Sequence, residues 1–156
     1  MADFENFARL VQHAMKAQDP EETIPACETA ITIHPAIGNW PPGFPHGRNM
    51  GALHGAQGNA YANRVRGERA ENLERAFAAY QSALTIRIRE AFPEQWSATQ
   101  HNLAAAYAYC ICGERAENLE RDIVAFEAAL TVRTREQAIV SEVGIVRRDL
   151  RPLMGQ

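Results

Sequence analysis

The residues of this chain that could do chemistry are few and widely spaced. Cys110-Ile111-Cys112 sets two thiols two positions apart, an arrangement from which a metal site or a redox pair could be built, and Cys27 stands far from both. On a helix, positions i and i+2 point about 200° apart, and no histidine pair at zinc-finger spacing accompanies the cysteines. His13, His34, His46, His54 and His101 are scattered, and the chain has no HExxH, GxSxG or GxxxxGK[ST], and no GxGxxG following a strand. Glu71 and Glu74, repeated as Glu117 and Glu120, could serve as paired acid/base carboxylates. They alternate with Arg69, Arg75, Arg115 and Arg121, which is the composition of a solvated helix face. The expectation is a non-enzyme with no catalytic residues, no metal and no cofactor. An odd number of cysteines in a chain that needs no staples fits free thiols in a reducing compartment.

The elements around these residues carry the stronger signal. GERAENLER occurs at 67–75 and again at 113–121, and over the longer stretches 67–90 and 113–136 the two copies agree at 16 of 24 positions. Leu73, Phe77, Tyr80 and Leu84, like Leu119, Ile123, Phe126 and Leu130, recur at steps of three and four, so each copy predicts an amphipathic helix. Gly67 and Gly113 precede these helices, where a left-handed residue ends the helix before. Glu68 and Glu114 then bring negative charge to the new helix start. The nine residues read as a helix-turn-helix joint. Upstream of the second joint, EQWSATQHNLAAAYAYC places Trp96, Leu103, Tyr107 and Cys110 near one face of an alanine-rich helix. Upstream of the first, RNMGALHGAQGNAYANR keeps Ala60-Tyr61 in register with Ala106-Tyr107 but carries Gly51, Gly55 and Gly58. Each glycine costs a helix about 1 kcal/mol relative to alanine, which predicts the least secure helix of the chain here.

Composition sets the frame. A chain of 156 residues, 46% hydrophobic, suits one domain with a continuous core. Sixteen basic against nineteen acidic residues, with no basic block, argue against a nucleic-acid or anionic-membrane surface. The acidic start MADFENFARLVQHAMK and the lack of any apolar run near 18 residues predict a soluble, cytoplasmic protein with no membrane partner.

With these segments in view, the chain resembles the tetratricopeptide repeat family over residues 4–137. EETIPACETAITIHP at 21–35 is similar to the second helix of such a repeat, with Ala30 and Pro35 five apart, and FENFARLVQHAMKAQDP at 4–20 to its first helix and turn. FPEQWSATQHNLAAAY and both joints resemble a longer subtype found in bacterial arrays, some attached to caspase-like protease domains. Ala104 replaces the small glycine of that pattern, and Gln57 replaces a leucine. The resemblance implies an all-α, right-handed superhelix of about three helix pairs. Its parts are repeat 1 at 3–37, a Pro/Gly-rich connection at 38–47, repeat 2 at 48–91, repeat 3 at 92–137, and a terminal helix at 138–153.

Two segments lie outside the repeats. HPAIGNWPPGFPHG at 34–47 holds four prolines and three glycines and predicts a non-helical connection. Its Trp40 and Phe44 either fold back over the first two repeats or form a docking loop for a partner or ligand. Ile139, Val143, Val146, Leu150 and Leu153 make an apolar helical stripe. The favoured reading is a cap on the last layer, with homo-oligomerisation through this helix as the second.

The resemblance also implies a concave groove lined by the first helix of each pair, a surface for a protein or peptide partner. Groove candidates are Arg9, Gln12 and Lys16 from the first pair, Asn59 and Asn63 from the second, and His101, Asn102 and Tyr109 from the third. Asn59 and Asn102 either hold the backbone of an extended peptide or bond one helix to another. The expected role is a non-catalytic adaptor. The competing roles are a self-associating scaffold and a ligand-binding or regulatory subunit using the Trp40 loop.

Overall fold

The computed structural model describes residues 2–37, 40, 43–109, 117, 120–121, 123–132 and 134. Cys110, Cys112, Gly113, Leu119 and the stripe from Ile139 to Leu153 lie outside them. The described residues are all-α, with no strand among them. Helices α1 (Ala2–Lys16), α2 (Pro20–Ile33), α3 (His46–Asn63), α4 (Arg69–Ile86) and α5 (Pro93–Ala108) follow one another, with a 3-10 turn His34–Ala36 after α2. Residues 123–132 are helical as well and are called α6. No helix among the described residues is long and apolar enough to cross a membrane.

Local sequence explains the helix starts. The Asp19 side chain accepts a hydrogen bond from the Glu21 amide at 3.0 Å, Pro20 takes the first turn, and Glu21 and Glu22 add negative charge beside the exposed N–H groups. Pro93 plays the corresponding part in α5. At the first joint Gly67 has φ +80°, and the buried side chain of Asn72 reaches back to donate to the Arg66 carbonyl at 2.7 Å. One residue on, Leu73 is fully buried. In the first copy the nine residues therefore encode a left-handed glycine, an amide that ties the turn down, and a core anchor.

Gly67 faces open space apart from Asn72, so its identity is required by φ and not by room. Gly67→Val is expected to cost about 1–2 kcal/mol and Gly67→Asn clearly less, because asparagine tolerates the left-handed region. Thermal melts of the two variants check this, at roughly 2–4 °C per kcal/mol for a chain of this size.

The glycine-bearing helix α3 runs unbroken for 18 residues. It begins at His46, inside the stretch expected to be non-helical, because proline is tolerated just before a helix and Pro45 occupies the cap position. Its glycines are packing surfaces. A Cβ on Gly58 would stand 2.6 Å from the Tyr80 ring, and Cβ atoms on Gly51 and Gly55 would stand 3.0 and 2.8 Å from the Arg87 side chain. Tertiary contact with α4 thus outweighs the propensity cost on which the expectation of weakness rested.

Packing is local in sequence. Each helix from α1 to α5 packs mainly on its neighbours in sequence, most extensively α3 on α4, and α1 also meets α3 as α3 meets α5. One apolar cluster joins α1, α2 and α3 through Phe7, Ala14, Cys27, Ala30 and Leu53; a second joins α2 to α5 through Ile24, Tyr61, Leu73, Tyr80 and Leu103. Burial pushes the Cys27 thiol up to about 12, so it behaves as a small apolar core residue.

The duplication is visible in side-chain contacts. Glu71 pairs with Arg75 at 2.6 Å and Arg75 lies over the Tyr61 ring; 46 residues on, Glu117 pairs with Arg121 at 2.5 Å and Arg121 lies over Tyr107. The two copies make the same three-residue surface.

Candidate functional site

Where α1, α3 and α5 come together with the start of α2 and the end of α4, they line an open cavity of about 410 Å³. Small residues on its walls, among them Ala14, Ala17, Ala52, Gly55, Ala56 and Ala98, help to keep the space open. Its polar groups are Gln18, Thr23, Asn59, Asn63, Tyr80, Thr99, Asn102 and Arg87. Arg87 is the one charged residue among those lining it.

Three of these groups form a chain across three helices. The Tyr80 hydroxyl donates to Asn59 Oδ1 at 2.8 Å, and Asn102 Nδ2 donates to the same oxygen at 2.9 Å. Asn59 is thus a helix-to-helix tie, one of the two readings its sequence left open. The chain leaves the Asn59 amide NH₂ and the Asn102 carbonyl oxygen without a hydrogen bond among the described residues. That is one donor and one acceptor, the complement of a peptide unit. Asn59 and Asn102 are not equivalent positions of the duplication, since Ala105 matches Asn59 and Ala56 matches Asn102; they meet diagonally where α3 touches α5. The ring of Tyr80 is buried, and burial raises its hydroxyl above the ordinary tyrosine range, keeping it a neutral donor.

Arg87 is the C-cap residue of α4. Its side chain crosses α3 over Gly51 and Gly55, and Nη1 donates to Thr99 Oγ1 at 3.2 Å. Burial lowers its pKa, the direction expected for a cation removed from water without a counter-charge.

Other groove candidates lie elsewhere. Arg9, Gln12 and Lys16 are exposed on α1 outside the cavity lining, and Arg9 donates to Asn6 Oδ1 at 2.9 Å. His101 stands edge-on to Phe126 of α6 at 5.1 Å, and Tyr109 is 70% exposed past the end of α5. Asn63 lines the cavity, and its Nδ2 donates to the Asn59 carbonyl at 2.9 Å. In the connection, Trp40 stacks on Phe44 at 5.4 Å, and both rings meet Phe4 and Phe7 edge-on. Their apolar faces are engaged within the first cluster.

Gln18, Thr23, Tyr80, Arg87 and Thr99 are polar cavity residues that were not among the groove candidates. The signal for Arg87 was the pair Gly51 and Gly55: small residues one turn apart mark a helix surface that receives something large. On the other side of α3, Tyr61 donates to Glu28 Oε1 at 2.6 Å and accepts from Arg75 Nη1 at 3.3 Å, beside His54 in a shallower cleft of about 310 Å³. Burial lowers the His54 pKa. Among the described residues no group of three or more His, Cys, Asp or Glu is placed to hold a metal ion.

Fold and cavity together define an all-α protein whose successive helices pack on one another around a polar-floored groove. No protein family, curated protein or solved structure matches the chain.

Proposed function

We propose that the protein is a non-catalytic adaptor of the tetratricopeptide type, a right-handed stack of about three helix pairs that binds an extended peptide in the groove formed by α1, α3 and α5. The observation that carries this reading is the spare donor and acceptor of Asn59 and Asn102 facing a cavity between first helices of successive pairs. A main-chain amide meets such a pair without regard to its side chain, so the groove fixes a backbone and leaves choice to its neighbours. The helix pattern supports the stack, because α1 meets α3 and α3 meets α5 as groove-lining helices must, and because the Glu–Arg–Tyr surface recurs after 46 residues. Trp40 and Phe44 support the cavity in preference to the connection as binding surface, since their rings already pack on α1.

The test uses Asn102, whose amide is a donor to Asn59 and whose neighbours remain satisfied when it is lost. Asn102→Ala is expected to leave the melting temperature within about 2 °C and to weaken a groove-bound peptide by about five- to ten-fold, the value of one net hydrogen bond. Peptides selected from a phage-displayed random heptapeptide library serve as ligands, and affinity is read by calorimetry. Unchanged affinity at unchanged stability would move the binding surface away from the groove.

A further inference from the structure

Several arginines among the described residues have evident partners. Arg64 makes a two-pronged contact with Glu21 at 2.7 and 2.9 Å, Arg75 pairs with Glu71, and Arg121 with Glu117. Arg48 and Arg89 lie over the rings of Phe92 and Trp96. Arg87 is more deeply placed than any of these, yet among the described residues its guanidinium has a single hydrogen bond, to the neutral hydroxyl of Thr99, and no carboxylate. Four of its five N–H donors are left over. Its position is also built: Gly51 and Gly55 are bare where the side chain crosses α3, and Thr99, itself buried, fixes one nitrogen. A guanidinium held half-buried without a counter-charge is costly unless an anion arrives to meet it.

We infer that Arg87 receives the carboxylate of an acidic side chain on a peptide lying in the groove; this rests on the adaptor reading above. The fork of N–H groups matches a carboxylate in two-point contact. A phosphate would bring about −1.5 to −2 charges to a cavity lined by one cation and would be left undercompensated. The side-chain source follows from placement. Gly55, over which the guanidinium lies, and Asn59, whose free amide can hold a main chain, are one turn apart, about 6 Å along α3. An aspartate or glutamate side chain leaving a backbone at Asn59 covers that distance. The groove would thus read an acidic residue at one fixed place relative to the backbone-gripping amides.

The test is selection from the same heptapeptide library, whose members are fused at their carboxyl ends so that a carboxylate can come only from a side chain. Winning peptides are expected to carry Asp or Glu at one fixed position. Changing that residue to its amide should cost at least about ten-fold in affinity for the native protein and less than two-fold for Arg87→Met, with Arg87→Lys in between. The Arg87 Nε–H signal in a nitrogen-proton spectrum should shift on titration. Because Arg87→Met changes the packing on Gly51 and Gly55, the shift in the native protein stands as an independent readout. Winners that depend on Asn102 but show no acidic preference, or whose preference survives in Arg87→Met, overturn the Arg87 assignment and leave the groove intact. If no winner depends on Asn102, the groove reading itself falls. A shift of the Arg87 signal by sodium acetate when no acidic peptide is selected assigns the site to a free carboxylate and overturns the side-chain source.

Discussion

Gly58→Ala is expected to destabilise the protein by about 2–3 kcal/mol, although the same exchange in an exposed helix stabilises by nearly 1 kcal/mol. The reversal comes from one contact. A methyl group at residue 58 would lie 2.6 Å from Cδ1 and Cε1 of Tyr80, and that ring cannot retreat. It is only 2% exposed, is anchored by its hydroxyl to Asn59, and packs in the cluster that joins α2 to α5. Either α3 and α4 must separate or Tyr80 must leave its acceptor. Gly47 in the same helix has nothing within 4 Å of the place its Cβ would take, so Gly47→Ala should be neutral or slightly stabilising. Urea unfolding of the two variants side by side checks the contrast; equal midpoints would mean that α3 and α4 are not as close as described.

Loss of the Asn59 side chain should come close in size. Asn59→Ala removes an oxygen that accepts from both Tyr80 and Asn102 and leaves the Tyr80 hydroxyl buried with no acceptor, a cost of about 2–3 kcal/mol. The cost should shrink to well under 1 kcal/mol when Tyr80 is already phenylalanine, because the group that would be stranded is then gone. A double-mutant cycle by urea unfolding measures this coupling. Additive effects would show that Tyr80 and Asn59 do not share a bond. The same cycle explains why Asn102, and not Asn59, is the residue to alter when binding is to be separated from folding.

Much of this architecture was legible in the chain, and for definite reasons. The duplicated nine residues announced a joint because φ at Gly67 and the anchor at Leu73 are local requirements, written next to each other in sequence. Asp19-Pro20 marked the start of α2 in the same way. The cavity was only half legible. Asn59, Asn63 and Asn102 were expected in a groove because of the resemblance to a repeat family, but Arg87 enters from the end of α4, and a residue's direction past a helix terminus depends on which helix it meets. The glycines of α3 were read by propensity alone and so looked like a weakness. Their purpose lies in Tyr80 and Arg87, which are far along the chain. Trp40 and Phe44 were ambiguous for the same reason, since nothing within the connection says that Phe4 and Phe7 wait on α1.

The nearest-neighbour packing of the helices bears finally on the order in which the molecule is made. The first apolar cluster draws only on α1, α2, the connection and α3, so it can close before α4 has been synthesised. Short sequence separation between partners keeps the loop-closure cost of each step small and the rate of assembly high. Tyr61 then waits at the end of α3 for Leu73 and Tyr80, and the second cluster grows onto the first as the next helices emerge. The described helices can therefore assemble in the order of their translation, the first cluster offering the second a finished surface to settle on.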